Sequence, residues 1–362
     1  MQPSTPRTPS PRAAAAAVAA KSAARQLGDP LQVQIASDLH LEFYDELPRF
    51  QKILVPSAPV LALLGDISAL GHARGCQLYE QFLQECCEHF ERVLLLVGNH
   101  EFYSHEELTR SSDEILRYIR ELCKANPKLQ LLENEGVTIN SVRVIGTALW
   151  SAVPEIQTVQ GARSKGRSAQ GVVEVAMNDY HCIFVSSENT ADAAKQTGGS
   201  NSLFNLKFPS VPCFSSGKSH DAAGSRPGHL RKALVADTNF WHRQAVEFIE
   251  REAREATSNE MNLLVLTHHT PSFEGTSDPR HGADPFGLSS AFSSDLHYVL
   301  QDPAMSAIRV WCFGHTHYNS DQMKHGVRLL SNQHGYVEQM ARGYRRDLVV
   351  EVSSQWQVVP AA

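Results

Sequence analysis

A chain of 362 residues, 42% hydrophobic and 20% charged, has the composition of a soluble globular protein with room for one large domain or two ordinary ones. Its net charge of −6 gives no overall basic footprint for non-specific nucleic-acid binding, though it leaves room for a local basic pocket. Seven cysteines with no CxxC point to reduced thiols in a cytosol-like compartment, and no apolar run approaches the roughly 18 to 20 residues of a spanning helix.

In chain order, residues 1–30 come first, with Arg7, Arg12, Lys21 and Arg25, no acid before Asp29, and mostly Ser, Thr, Pro and Ala between. Such a segment cannot supply a core and reads as a disordered tail. A mitochondrial transit segment is the alternative; a secretory signal is disfavoured because alanine makes a poor apolar stretch. The expected compartment is therefore the cytoplasm, or mitochondria if the tail is a targeting segment.

Residues 31–354 are expected to form a single domain. Five apolar runs within it end alike, in a small residue followed by Asp, Asn or His: "VQIASDLH" (33–40), "VLALLGDI" (60–67), "VLLLVGNH" (93–100), "NLLVLTHH" (262–269) and "VWCFGHTH" (310–317). Their Val, Leu and Ile content and their length predict strands buried on both faces. Helical spacing recurs between them, over 76–90, 105–124 and 239–256, so strand–helix–strand crossover units of a layered α/β fold are expected. "VTINSVRVIGTALW" (137–150) has hairpin character, and "VRLLSN" (327–332) with "RDLVVEV" (346–352) resembles it, which predicts two packed sheets flanked by helices. A Gly-, Ser- and Lys-rich stretch at about 183–229 reads as a poorly ordered insertion.

In open α/β sheets ligands collect outside the C-terminal ends of strands, where Asp38, His40, Asp66, Asn99, His100, His268, His269, His315 and His317 are expected to converge. Carboxylate, amide and imidazole without a thiolate suit Mn, Fe or Zn. Singly, each motif has a bland explanation: Asp38 capping a loop, a "GD" turn, a hydrogen-bonded structural histidine. Five such endings in one chain need a common cause.

"DLH" (38–40), "GDI" (65–67), "GNHE" (98–101), "THH" (267–269) and "GHTH" (314–317) together resemble the ordered signature of the calcineurin-like metallophosphoesterases. "GTALWS", "NDY", "DTNFWH" and "NQHGYVE" further resemble an uncharacterised microbial branch of that superfamily. The resemblance implies a four-layer α/β/β/α sandwich of two mixed β-sheets and a dinuclear metal centre. It assigns Asp38, His40 and His317 to one divalent ion, Asn99, His268 and His315 to the second, and Asp66 to both. It also implies hydrolysis of a phosphomonoester or phosphodiester by a metal-bridging hydroxide, with His100 as general acid and Asp38 orienting or charge-stabilising it. A histidine pair one residue apart at a strand end points both rings the same way, so His315 and His317 can reach different ions. Neighbours in an extended segment point oppositely, so only one histidine of "THH" is expected to face the metals; His268 is chosen by the family pattern, leaving His269 to line the pocket.

The loop "SFEGTSDPRHGADPFG" (272–287) makes Arg280 and His281 candidate phosphate or leaving-group contacts, and Tyr103 and Tyr336 weaker ones. Two other functions fit the same fold. A nuclease would use the same centre, with "GARSKGRS" (161–168) as the only local basic candidate. A non-catalytic metal-binding scaffold would be marked by lost ligands, and all the signature ligand types are present. A phosphate ester is the expected partner, with neither a membrane nor, on charge, nucleic acid favoured.

Overall fold

The computed structural model describes residues 28–104, 108–155, 168–186, 230–281 and 287–356. Most of the expected tail, the insertion from 187 to 229 and nearly all of the basic stretch at 161–168 lie outside the described residues.

Thirteen strands are described: β1 (Leu31–Ala36), β2 (Val60–Leu64), β3 (Arg92–Leu96), β4 (Leu129–Leu131), β5 (Glu135–Ile139), β6 (Val142–Thr147), β7 (Phe184–Ser186), β8 (Leu230–Lys232), β9 (Leu263–Thr267), β10 (Ile308–Phe313), β11 (Asp321–Lys324), β12 (Val327–Ser331) and β13 (Val349–Val352). One sheet has the order β13-β1-β2-β3-β4 and the other β11-β12-β10-β9-β6-β5, while β7 and β8 make a small separate pair. Both large sheets are mixed: β1 to β4 run parallel with β13 antiparallel at the edge, and β6, β9, β10 and β12 run parallel between antiparallel β5 and β11.

Alternation within the apolar runs builds the layers. In β2, Leu61 and Leu63 face a core shared with Phe82 and Ile115 of the helices, while Val60, Ala62 and Leu64 face the second sheet. In β10, Val310 and Cys312 join that inter-sheet core, while Trp311 and Phe313 pack with Phe248 and Ile249 of the helix Val235–Ser258. Strands apolar on both faces therefore sit between helices and one another, giving helix, sheet, sheet and helix in four layers. Each fully buried Leu contributes about 1.5–3 kcal/mol, so truncating Leu266 in the central core to Ala would cost about 2–5 kcal/mol.

Three details differ from the sequence expectations. The second helix starts at Ser112 rather than 105, because Ser111 and Glu114 form a reciprocal capping box; residues 105–107 lie outside the described set. The third begins earlier, at Val235. The strand pairing expected of 327–332 with 346–352 does not form: β12 pairs with β11 across His325–Gly326, whose positive φ values (49° and 80°) suit a two-residue hairpin turn. β13 instead crosses to the first sheet, with Val352 opposite Leu31. Among the described residues no helix is long and apolar enough to cross a membrane.

Candidate metal centre

The ends of β1, β2, β3, β9 and β10 meet at one edge of the sandwich, and the backbone there is strained. Asp38, His40, Asp66, His315 and His317 all have positive φ (56°, 48°, 54°, 76° and 52°), a conformation that costs a non-glycine residue of order 1–3 kcal/mol. Turning so sharply at the strand end aims each side chain inward. The turns are locked to one another: Asp38 N donates to Gly65 O (3.1 Å) and His40 N to Asp66 O (3.0 Å). Glu101 of "GNHE" stitches two of them together, accepting from Asp66 N (2.8 Å), Ile67 N (2.7 Å) and Gly98 N (2.6 Å). Glycine is required at 98 by proximity, since a Cβ there would collide with Asp66 Oδ1.

Among the described residues, three groups of side chains bring potential ligand atoms within 4.8 Å of one another: Asp38 with His40 and His317; His40 with Asp66 and His100; and Asp66 with His268 and His315. In the first, Asp38 accepts from Ser37 Oγ and from His315 N (3.0 Å), and its Oδ1 lies 3.4 Å from His317 Nε2. His40 Nε2 lies 2.9 Å from His317 Nε2 and 3.9 Å from Asp66 Oδ2. Gln333 accepts from His317 N and donates to Thr316 Oγ1 and Tyr318 O, which fixes the "GHTH" turn.

In the last group, His268 donates from Nδ1 to Leu64 O (2.8 Å), so its Nε2 carries the lone pair that faces Asn99 Oδ1 (3.1 Å) and Asp66 Oδ1 (3.4 Å). Asn99 is oriented by Asp179, which accepts from its Nδ2 (2.8 Å) and from the Tyr103 hydroxyl (2.6 Å). Asn99 Nδ2 also donates to the Tyr103 hydroxyl (3.1 Å), and with both amide hydrogens so used its oxygen turns towards His268. His315 Nε2 is buried and has no hydrogen-bond partner among the described residues. Asp66 spans the two sides, with Oδ2 towards His40 and Oδ1 towards His268.

The donor set fits divalent cations. The inward-facing nitrogen of His268 meets two acceptor oxygens, that of His40 meets another ring nitrogen, and that of His315 meets nothing. Acceptors facing acceptors, or an orphan buried nitrogen, are costly unless a proton or a cation lies between them. Burial disfavours protonation of His268, yet the negative charge of Asp66 beside it outweighs that and pushes its pKa up to about 10.

His100 follows Asn99 in a single helical turn, His100–Phe102, and its ring stacks on Tyr103 at 4.2 Å. Burial lowers its pKa, but Asp66 and Glu42 outweigh that and raise it to about 9. Asp38, expected to orient this ring or stabilise its charge, makes no hydrogen bond to it among the described residues. Asp38 is occupied by Ser37, His315 and His317, and it is Glu42 Oε1 that lies 2.8 Å from His100 Nδ1. Sequence reasoning gave Glu42 no role; its only local signal was its place two residues after His40. Asp179, within the quoted "NDY", also went without a role.

Of the pocket candidates, His269 is buried at the site, donating from Nδ1 to Ala148 O (3.2 Å) with its ring 4.1 Å from that of His315. Burial and the neighbouring His268 push its pKa down to about 3, so it is a neutral ring. Arg280 is instead exposed and held by Asp278 (2.6 Å), a pairing two residues apart that the loop makes locally. The His281 side chain lies outside the described set. Tyr336 packs over the first group, its ring 4.4 Å from His40 and 4.5 Å from His317, with its hydroxyl 3.5 Å from His100 Nε2.

Residues 31–180 match the family model described as calcineurin-like phosphoesterase, a span that includes Asp38, His40, Asp66, Asn99, His100 and Asp179. An uncharacterized protein, L509, of Acanthamoeba polyphaga mimivirus is 26% identical over 317 residues, covering 84% of this chain and 91% of its own. Among solved structures, phosphopantetheinyl hydrolase (PptH) from Mycobacterium tuberculosis superposes with a TM-score of 0.57 at 15% identity, over 92% of this chain and 99% of that one. At that identity the likeness is one of fold.

Proposed function

We propose that the chain, whose residues 31–180 match the calcineurin-like phosphoesterase family model, is a hydrolase of that kind and hydrolyses a phosphomonoester or phosphodiester with two divalent cations. Asp38, His40 and His317 hold one, Asn99, His268 and His315 the other, and Asp66 both. The observation that carries this reading is the pair of Asp66 oxygens directed to opposite sides, each meeting a histidine whose other ring nitrogen is already hydrogen-bonded outward. When bound, such ions supply the Lewis acidity that neutralises phosphoryl oxygens and makes a nucleophile of water at neutral pH. Nitrogen and oxygen donors without a thiolate suit Mn, Fe or Zn.

The protein's own groups do the rest. His100 sits beside the centre without joining either ligand set, and it protonates the departing oxygen from Nε2. Cations held at Asp66 would offset part of the carboxylate charge that raises His100 and so lower its pKa. His269 and Tyr336 line the approach.

The test combines elemental analysis with hydrolysis of p-nitrophenyl phosphate and bis(p-nitrophenyl) phosphate by the purified protein. A phosphopantetheinyl compound joins the substrate panel because the fold relative is named for hydrolysing one. Activity that falls on chelation and returns with Mn²⁺ or Zn²⁺ is expected; full activity in metal-free protein would overturn the reading.

A further inference from the structure

We propose that Glu42 is the positioning residue of the acid, holding the His100 ring by Nδ1 so that Nε2 faces the leaving group. This inference rests on the reading of His100 as general acid. Glu42 lies in the one-turn helix Leu41–Phe43 that follows left-handed His40, and its side chain is only 9% exposed. Its Oε1 meets His100 Nδ1 at 2.8 Å and His40 Nδ1 at 3.3 Å, and its Oε2 accepts from Ala69 N at 3.3 Å. One oxygen thus grips both the proposed acid and a proposed ligand, while the other is tied to the backbone of the neighbouring loop.

A carboxylate can only accept, so Glu42 dictates where the ring protons sit. On both rings Nδ1 carries hydrogen. On His40 this leaves Nε2 towards Asp66 and His317; on His100 it leaves Nε2 towards the Tyr336 hydroxyl, on the far side from Glu42. Tyr103, stacked flat on the ring, restrains its tilt but not which edge points outward; the Glu42 hydrogen bond supplies that. When the ester P–O bond breaks, its electron pair goes to the departing oxygen. The proton on His100 Nε2 moves to that oxygen, and the pair of the N–H bond returns to the ring. The neutral imidazole that remains keeps its Nδ1 hydrogen on Glu42, so no rearrangement is needed in the step.

A carboxylate behind a histidine can also serve only to brace a ligand or a loop, and leaving-group dependence separates the two roles. The full-length, metal-loaded protein is assayed with phenyl and p-nitrophenyl phosphate, or with their methyl diesters if the enzyme prefers diesters. p-Nitrophenolate departs with little help from an acid; phenolate needs the proton. Glu42→Gln is expected to lower kcat on the phenyl ester by about 10- to 100-fold, to lower it far less on the p-nitrophenyl ester, and to leave KM and metal content near those of the unmodified protein. An equal loss on both esters, or loss of metal, overturns the inference. His100→Asn run alongside tells the two readings apart: no leaving-group dependence there sinks the acid and Glu42 with it, whereas a steep dependence in His100→Asn but none in Glu42→Gln sinks Glu42 alone. Should Glu42→Gln fold poorly, nitrogen-15 NMR of His100 in the unmodified protein decides. A protonated Nδ1 supports the inference, and a bare Nδ1 overturns it.

Discussion

The two halves of the proposed metal centre are built differently. The half formed by Asp38, His40 and His317 is open, with the His317 side chain 20% exposed under Tyr336, and it is backed by a charged group. Burial would raise the Glu42 carboxyl, but hydrogen bonds from His100 and His40 hold it down to about 2. The half formed by Asn99, His268 and His315 is closed, with His268 fully buried and the His315 nitrogen orphaned. Its backing leans the other way. Glu133 accepts from Ala148 N (3.1 Å), Ala148 O accepts from His269, and burial pushes Glu133 up to about 7. The two carboxylate braces, Glu42 beside His40 and Glu133 behind Ala148, thus lean towards opposite charge states.

Asp66 belongs to both halves, and its replacement gives the largest expected effect. Asp66→Asn should lose both ions in elemental analysis and all metal-dependent hydrolysis with them. Next come the two histidines of "GHTH": His317→Ala should cost the ion of the open half and His315→Ala that of the closed half, each leaving about one metal per chain. If both variants lost the same ion, the division would fall. Asp179→Asn acts one step further out. It replaces the charged acceptor that turns the Asn99 oxygen inward with a weaker, neutral amide oxygen, and is expected to weaken metal affinity about 10- to 100-fold, seen as a shifted activity titration with Mn²⁺, while thermal stability changes little.

The smallest effect is on stability and depends on pH. Because the folded pKa of Glu133 is raised from 4.5 to about 7, its contribution is fully present below 4.5 and is lost as pH rises through 7. Glu133→Gln should therefore gain relative to the unmodified protein across that window, by at most about 2 kcal/mol, since part of Glu133 reaches solvent. Glu42, depressed, behaves oppositely: its contribution is present above 4.5 and is lost as pH falls through about 2. Denaturant midpoints measured from pH 4 to 8 that are identical for Glu133→Gln and the unmodified protein would remove the contrast between the braces.

The strands and the inward-facing side chains were legible because both rest on local signals: apolar alternation for the layers, and a small residue followed by Asp, Asn or His where a strand must turn. The supports were not. Glu42 meets His100 across 58 positions and Asp179 meets Asn99 across 80, and nothing in "DLHLEF" or "NDY" states those pairings. β11 escaped notice because its "DQMK" is short and charged, and the choice of sheet for β13 depends on which edge lies free once the other strands have paired. Arg280 misled for the converse reason: a cation in a polar loop looks like an anion contact until its near neighbour Asp278 takes it.

The most direct measurement is anomalous diffraction from crystals grown with Mn²⁺ or Zn²⁺. Two peaks are expected, one among Asp38, His40 and His317 and the other among Asn99, His268 and His315, with an oxygen of Asp66 on each. A single peak, or two that leave Asp66 out, would contradict the division of the site.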